Sequence, residues 1–275
     1  MNKNKETIKK MQLDTLTFNG KVMEFDHVEK SGKVKHFTVK NLLVNGNDKI
    51  GKNVWHFSTL AAMQEFFLDD FNYNAKGTCF CQCEGCYGLT GNYRYETTKR
   101  LLAYRTMVAR ENLDLFVERI IAEIRFYNIE FVRIHATGDF FSKDYVKAWI
   151  KITKACKTTK FWTYTKAFGH GFDKELNALT DLDNVNIVNS IVPGCGFNFG
   201  HIDYVIATYY ELKNRGENPY ICRCGIDKEQ HCNNCKGCSC HKYVLFVEHS
   251  TGYKAEKDPL YNKVVELIES QPKQD

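Results

Sequence analysis

Cysteine is the residue type with the clearest chemical potential in this chain. The sequence has twelve cysteines, and ten of them lie in two short tracts. The tracts are Cys79, Cys81, Cys83 and Cys86, and Cys222, Cys224, Cys232, Cys235, Cys238 and Cys240. The N-terminus is polar and has no apolar signal core, so we expect a cytoplasmic protein. Reducing compartments disfavour disulfides, and clustered thiols in such compartments usually bind metal.

The first tract has the spacing Cys79-x3-Cys83-x2-Cys86. Three thiolates at this spacing can wrap one [4Fe–4S] cluster and hold three of its irons, which leaves one iron open for a further ligand. Gly85 helps the loop to bend tightly enough to supply these ligands. With Cys81 as a fourth thiolate, the same tract can instead surround a zinc ion.

The second tract has more thiols than one metal needs. Its run Cys232-x2-Cys235-x2-Cys238 is similar to the run that ligates clusters in bacterial ferredoxins. Either Cys222 or Cys224 can add a fourth ligand. The sequence therefore leaves two metals open for this tract, a second [4Fe–4S] cluster or a structural zinc ion.

Between the tracts, helices and strands alternate over residues 112–190. Repeated units of this kind build a parallel sheet with helices outside. We expect short strands and turns over residues 15–57 and a helix over 58–71. The expected helix starts are Asn112, Ser142 and Asp173, and the expected strands are 130–134, 160–165 and 185–188.

Polar side chains follow the three expected strands, where ligands of parallel sheets bind. We expect His135 to carry protons or to contact substrate, with a hydrogen-bonded structural histidine as the alternative. Asp139 follows a glycine on the ligand side, and its alternative is a turn acceptor or a helix N-cap. Tyr164, Lys166 and Ser190 are further candidates.

The first tract and the elements after it resemble the radical-SAM superfamily, which uses the same cysteine spacing before an α/β partial barrel. In that superfamily the open iron binds the amino and carboxylate groups of S-adenosylmethionine. The resemblance implies that the Thr137-Gly138-Asp139 turn touches the amino group, and it implies an electron donor such as a flavodoxin or ferredoxin. From the strand-end positions together with this resemblance, we predict His135, Asp139 and Lys166 as catalytic residues, and Gly138, Asp139, Tyr164 and Ser190 as cofactor-binding residues.

A second resemblance covers most of the chain. Its segments are 42–47, 49–52, Cys86-Tyr87, 133–140, Tyr145, Trp149, 161–166 and the second cysteine tract. They are similar to a phage and mobile-element family named after gene product 88. This resemblance implies a phage or mobile-element origin and no particular reaction.

Length and composition fit an α/β protein. The chain has 275 residues, of which 43% are hydrophobic, enough for one sizeable core. We expect a β-rich N-terminal segment over 1–74, a partial (β/α) barrel of radical-SAM type over 75–215, and a cysteine-rich metal-binding segment with a final helix over 216–275. No stretch approaches the roughly 20 apolar residues of a membrane span.

These observations predict an iron–sulfur protein, specifically a radical-SAM-like enzyme. The main alternative is a zinc-stabilised nucleic-acid-binding protein of phage or plasmid replication or regulation, since a net charge of +5 permits phosphate contact. A further alternative is an iron–sulfur protein that senses redox state.

Overall fold

The structure is a computed structural model that describes residues 13–46, 51, 53–80, 86–190, 202–223, 226, 232–235, 237–247 and 254–272. Two of the predicted metal ligands, Cys83 and Cys224, lie outside the described residues, as does Cys81. The fold is mixed α/β, with short N-terminal hairpins and one five-stranded mixed sheet.

Two hairpins open the described chain and confirm the expectation of short N-terminal strands. The first hairpin turns at Asn19 and Gly20, whose φ angles are 51° and 77°. Two consecutive residues with positive φ favour a tight hairpin turn, and Asn-Gly is a common choice for it. The paired strands are β1 (Thr17–Phe18) with β2 (Lys21–Val22), and β3 (Glu24–Val28) with β4 (Val34–Thr38).

The five-stranded sheet has the order β11-β10-β9-β6-β5. Its strands are β5 (Val44–Asn45), β6 (Val54–His56), β9 (Phe131–Arg133), β10 (Lys160–Thr165) and β11 (Val185–Asn189). Strand β5 is antiparallel to β6, and the other neighbours are parallel. The three strands expected between residues 130 and 188 are therefore confirmed.

Four helices follow the first cysteine tract: α1 (Glu96–Glu111), α2 (Leu113–Phe126), α3 (Lys143–Ala155) and α4 (Asp173–Thr180). Helices α1 and α2 both precede β9, α3 lies between β9 and β10, and α4 lies between β10 and β11. The side chains of Asn112 and Ser142 accept hydrogen bonds from the backbone two to three residues into α2 and α3, which confirms both caps. The cap expected at Asp173 is wrong. That residue is the first of α4, and its carboxylate accepts from the Gly169 N–H instead.

The helix expected over residues 58–71 is also wrong. The chain forms strand β7 (Glu65–Leu68), a short 3-10 turn and strand β8 (Tyr73–Lys76), which pair antiparallel. Phe66 is half-buried and Leu68 is buried, whereas Glu65 and Phe67 are exposed, which is the alternation of a half-buried strand. Asn72, at a φ of 47°, turns the chain between the two strands.

The C-terminal part contributes shorter elements. They are α5 (Ile202–Asn214), β12 (Tyr220–Ile221), α6 (Cys232–Cys235), α7 (Gly237–Cys240), β13 (Val244–Leu245) and α8 (Tyr261–Glu269). Strands β12 and β13 pair in parallel, apart from the main sheet. Within the described ranges the strands of the five-stranded sheet do not close into a barrel. None of the helices in those ranges is long and apolar enough to cross a membrane.

The two faces of the main sheet are packed against different parts of the chain. Phe161 and Ile187 point to the helix face, where they join Phe116 of α2 and Trp149 of α3 in the largest core cluster. Trp162 points to the opposite face, because successive strand residues alternate. There Val54, Trp162 and Val188 pack with the C-terminal cysteine residues, and we call this side the cysteine face.

Candidate functional site

The predicted strand-end residues meet at the carboxyl edge of the sheet. The Asp139 carboxylate accepts hydrogen bonds from the Thr165 hydroxyl at 2.5 Å, from Phe140 N–H at 2.8 Å and from Lys166 N–H at 2.8 Å. Ser190 N–H donates to the Thr165 carbonyl at 2.7 Å. The structure thus brings Asp139, Lys166 and Ser190 together at the ends of β9, β10 and β11.

Asp139 is itself buried, with 5% of its surface exposed. Burial raises the pKa of this carboxyl, and the hydrogen bonds from Lys166, Thr165 and Phe140 oppose that rise. Both carboxylate oxygens are occupied by donors of the chain. These contacts are those of the turn acceptor that the sequence left as the alternative for Asp139.

The turn at Gly138 joins this network to the first cysteine tract. Asp139 N–H donates to the Thr78 hydroxyl at 3.0 Å, and Thr78 directly precedes Cys79. Gly138 has a φ of +83°, and a Cβ on it would lie 1.8 Å from the Thr59 hydroxyl oxygen. Only glycine permits this close approach.

Gln64 fastens the two ends of the tract. Its carbonyl accepts from Gly77 N–H at 2.8 Å, just before the tract. Its side-chain amide donates to the Gly88 carbonyl at 2.9 Å, just after it. Thr78 N–H also donates to the Leu60 carbonyl at 3.0 Å, so both ends of the tract, with Cys79 and Cys86, lie next to the segment that follows β6. Sequence reasoning missed Gln64, since nothing local distinguishes this glutamine.

The loop after β10 also reaches the first tract. Phe80 stacks on His170, with ring centroids 4.3 Å apart and planes within 10° of parallel. Phe80 is adjacent to Cys79 and remains 44% exposed. The stacked pair therefore forms part of the outer surface beside the tract.

His135 lies in the core. It is 3% exposed, and its Nε2 is 3.0 Å from the Tyr145 hydroxyl. Its ring packs edge-on against Phe140 and Trp149. Burial, and then the nearby Arg133, lower its pKa to about 3, so the imidazole is neutral at physiological pH. This setting favours the structural alternative for His135 over contact with a ligand.

Tyr164 faces the other way from the Asp139 network. It lies on the cysteine face with its hydroxyl beside Cys238, and burial, then the neighbouring Cys238, raise its pKa. The Arg133 guanidinium lies over the Tyr164 ring, 5.4 Å from its centroid. Arg133 donates from Nε to the His135 carbonyl at 2.9 Å and has no carboxylate partner within the described residues. Sequence reasoning did not single out Arg133, because its exposure to the cysteine face depends on strand register.

The second tract covers the cysteine face. Cys222 directly follows β12, and Cys222, Cys232, Cys235 and Cys238 line a single cavity of about 10 Å³ together with Trp162. No disulfide joins the described cysteines. In the part of the chain that is described, no three His, Cys, Asp or Glu side chains already form a metal site. The structure thus brings four predicted ligands around one space without placing them at metal-binding distances.

Comparison with known proteins tests the second resemblance noted in the sequence. A profile of the gene product 88 family matches residues 41–239, which include the first cysteine tract and all of the second except Cys240. The chain belongs to the gene product 88 family. The resemblance to that family noted in the sequence is confirmed, and the protein is a phage-family protein.

Individual relatives of this gene product 88 family member come from mycobacteriophages. The Gene 88 protein of Mycobacterium phage D29 is 30% identical over 125 residues, or 42% of this chain and 50% of the relative. The Gene 88 protein of Mycobacterium phage L5 is 31% identical over 124 residues, or 42% of this chain and 49% of the relative. The chain thus spans about half the length of these relatives. No solved structure matches it.

Proposed function

We propose that this gene product 88 family protein is a radical-SAM-like iron–sulfur enzyme. In the proposal, Cys79, Cys83 and Cys86 would hold one [4Fe–4S] cluster through three of its irons, and the cluster, once reduced by an electron donor, would supply the electron for cleavage of S-adenosylmethionine. The observation that carries the proposal is the position of the first tract. Its two ends are fixed beside the carboxyl ends of parallel strands, where ligands of such sheets bind.

The order of elements supports the same reading. The parallel strand β6 is followed by the β7–β8 hairpin, the cysteine tract, α1 and α2, and then by β9, which leads into the Thr137-Gly138-Asp139 turn. Strands β10 and β11 continue the parallel series. We propose that these four strands are the first part of a partial (β/α) barrel of radical-SAM type.

The donor set fits the proposed cluster. Cys79 and Cys86 are both half-buried thiols without a disulfide, and half-burial leaves a bound cofactor accessible from the strand-end side. Lys166 and Ser190 are partly exposed on that side and can contact the cofactor or substrate. Asp139 and Gly138 hold the turn in place, and Asp139 Oδ2, which accepts from Lys166 N–H, has a second lone pair for an ammonium group.

The proposal carries further expectations about the protein's surroundings. Its reaction needs an electron donor such as a flavodoxin or ferredoxin. A cytoplasmic location would keep the thiols reduced. The net charge of +5 is compatible with nucleic acid as substrate or partner.

Anaerobic purification tests the proposal. The expected protein is brown, contains iron and sulfide and absorbs near about 400 nm, as thiolate-ligated clusters do. S-adenosylmethionine should change the electron paramagnetic resonance of the reduced protein, and reduction should release 5′-deoxyadenosine. Cys83→Ala should abolish both effects, whereas Cys81→Ala and Cys240→Ala should retain them.

Two results would contradict the proposal. A colourless protein with zinc in both tracts would favour the zinc-stabilised nucleic-acid-binding protein. A cluster that ignores S-adenosylmethionine and is lost in Cys81→Ala would identify a closed four-thiolate site and a redox protein without radical chemistry.

A further inference from the structure

We propose that Cys222, Cys232, Cys235 and Cys238 form one zinc site that fastens the C-terminal segment to the cysteine face of the sheet. This site does not depend on the proposed radical-SAM-like function, because it uses a different tract and a different metal. The four thiols come from a strand end and from two short helices, yet they line the same cavity.

The neighbouring candidate ligands are turned away from this cavity. Cys240 is exposed, and its thiol points to the Gly237 carbonyl, 3.7 Å away. His241 stacks on Tyr220, with ring centroids 4.8 Å apart, and its Nδ1 lies 3.4 Å from the Asn218 carbonyl oxygen. Among the cysteines of this tract that the structure describes, the ones that line the cavity are therefore Cys222, Cys232, Cys235 and Cys238.

The cavity is small, and four thiolates are a complete ligand set for one structural zinc ion. A volume of about 10 Å³ is roughly one water-sized sphere. Zinc bound by four thiolates needs only Zn–S distances of about 2.3 Å. Because the sulfurs do not yet lie at metal-binding distances, the ion must draw them inward, and each thiol releases its proton as it binds.

Groups around the cavity suit thiolates. The Tyr220 hydroxyl lies 2.8 Å from the Cys235 sulfur, and the Tyr164 hydroxyl lies beside Cys238. Hydroxyl donors of this kind orient metal ligands and stabilise their charge. Zinc with four thiolates carries a net negative charge, and Arg133, which has no carboxylate partner within the described residues, lies over Tyr164 on the same face.

The backbone contacts explain what the site would fasten. The Asn186 side chain on β11 donates to the Cys238 carbonyl at 2.7 Å and to the His241 carbonyl at 3.0 Å. Gly237 has no room for a side chain, since a Cβ would lie 2.3 Å from a Tyr220 ring carbon. The tract is thus already seated on the sheet, and the ion would lock it over Trp162.

Metal analysis of the full-length protein, purified without oxygen, tests the site. We expect one zinc per chain in addition to any iron, and cobalt substitution should give the visible absorption of a tetrahedral thiolate complex. Cys222→Ser and Cys235→Ser should each lose this zinc. Cys224→Ser and Cys240→Ser are the matched controls and should keep it.

A conservative variant keeps the proposal testable where a cysteine variant does not fold. Tyr220→Phe should fold and bind zinc with about ten- to a hundredfold lower affinity in a chelator competition. Three results would each overturn the proposal. The first is iron and sulfide that persist in Cys83→Ala, and the second is loss of zinc from Cys224→Ser but not from Cys222→Ser. The third is a disulfide among the four cysteines. Failure of the proposed function would instead remove iron from the first tract and leave this zinc in place.

Discussion

At the scale of single residues, burial decides the charge of the histidines near the sheet. His135 and His56 are both neutral in the folded protein, because burial lowers each pKa to about 3. In the unfolded chain a histidine takes up a proton below about pH 6.5. The unfolded state therefore binds more protons between pH 6.5 and 3, and the folded state loses stability as the pH falls through that window.

Replacing His135 tests this predicted loss of stability at low pH. In His135→Phe, the free energy of unfolding should fall less steeply below pH 6.5, by up to about 1.4 kcal/mol per pH unit. At pH 7 the variant should be less stable by about 1–3 kcal/mol, because the buried Tyr145 hydroxyl loses its partner. Urea unfolding at several pH values from 7 to 4 measures both effects. A slope identical to the wild type would show that His135 is not kept neutral by the fold.

Asp139 gives a second prediction. In Asp139→Asn, the amide can replace one oxygen, but its NH2 group would face a donor, either Lys166 N–H or Phe140 N–H. Leaving a buried donor unpaired costs about 1–3 kcal/mol of folding stability. The control is Asp144→Asn on the exposed side of α3, which should change stability by less than about 0.5 kcal/mol. Equal urea midpoints for the two variants would contradict the structural role of Asp139.

At the scale of elements, local patterns predicted what local physics controls. Helices α2 and α3 start where Asn112 and Ser142 can cap them, and the central strands lie where apolar runs end in polar residues. The helix prediction for residues 58–71 was wrong because the apolar content of this segment suits a helix as well as a buried strand. Tertiary packing decided between them, since Leu60 and Leu68 are buried on opposite sides of a turn in the chain.

The Thr137-Gly138-Asp139 turn was predicted as a ligand site, but its contacts with Thr59 and Thr78 could not be. Gly138→Ala should lower the free energy of unfolding by at least about 3 kcal/mol, because the new methyl group would overlap the Thr59 hydroxyl in a left-handed backbone. Gly169→Ala is a matched control. It has the same φ of +83° and nothing within 4 Å, so only the backbone cost of about 1–2 kcal/mol remains. Similar thermal midpoints for the two variants would show that the close approach at Gly138 is not maintained.

At the scale of the whole molecule, one sheet positions both cysteine tracts. The first tract is attached to the strand ends through Gln64 and Thr78, and the second is attached to the cysteine face through Asn186. Spacing along the chain indicated metal chemistry for both tracts. It left open whether Cys222 or Cys224 joins the later cysteines, because that depends on contacts between distant segments; in the described part of the chain Cys222 lines one cavity with Cys238.

The family match begins at residue 41, yet the core of the molecule extends further toward the N-terminus. Met23, in the hairpin region outside the match, is fully buried in the same cluster as Phe116 and Trp149. Met23→Ala should therefore cost about 2–5 kcal/mol, the usual price of deleting a buried methionine side chain. Met63→Ala, on a residue that is 63% exposed, should cost less than about 0.5 kcal/mol. Urea unfolding of the two variants decides the matter: if their midpoints agree, the N-terminal hairpins fold on the surface and the matched region forms its core without them.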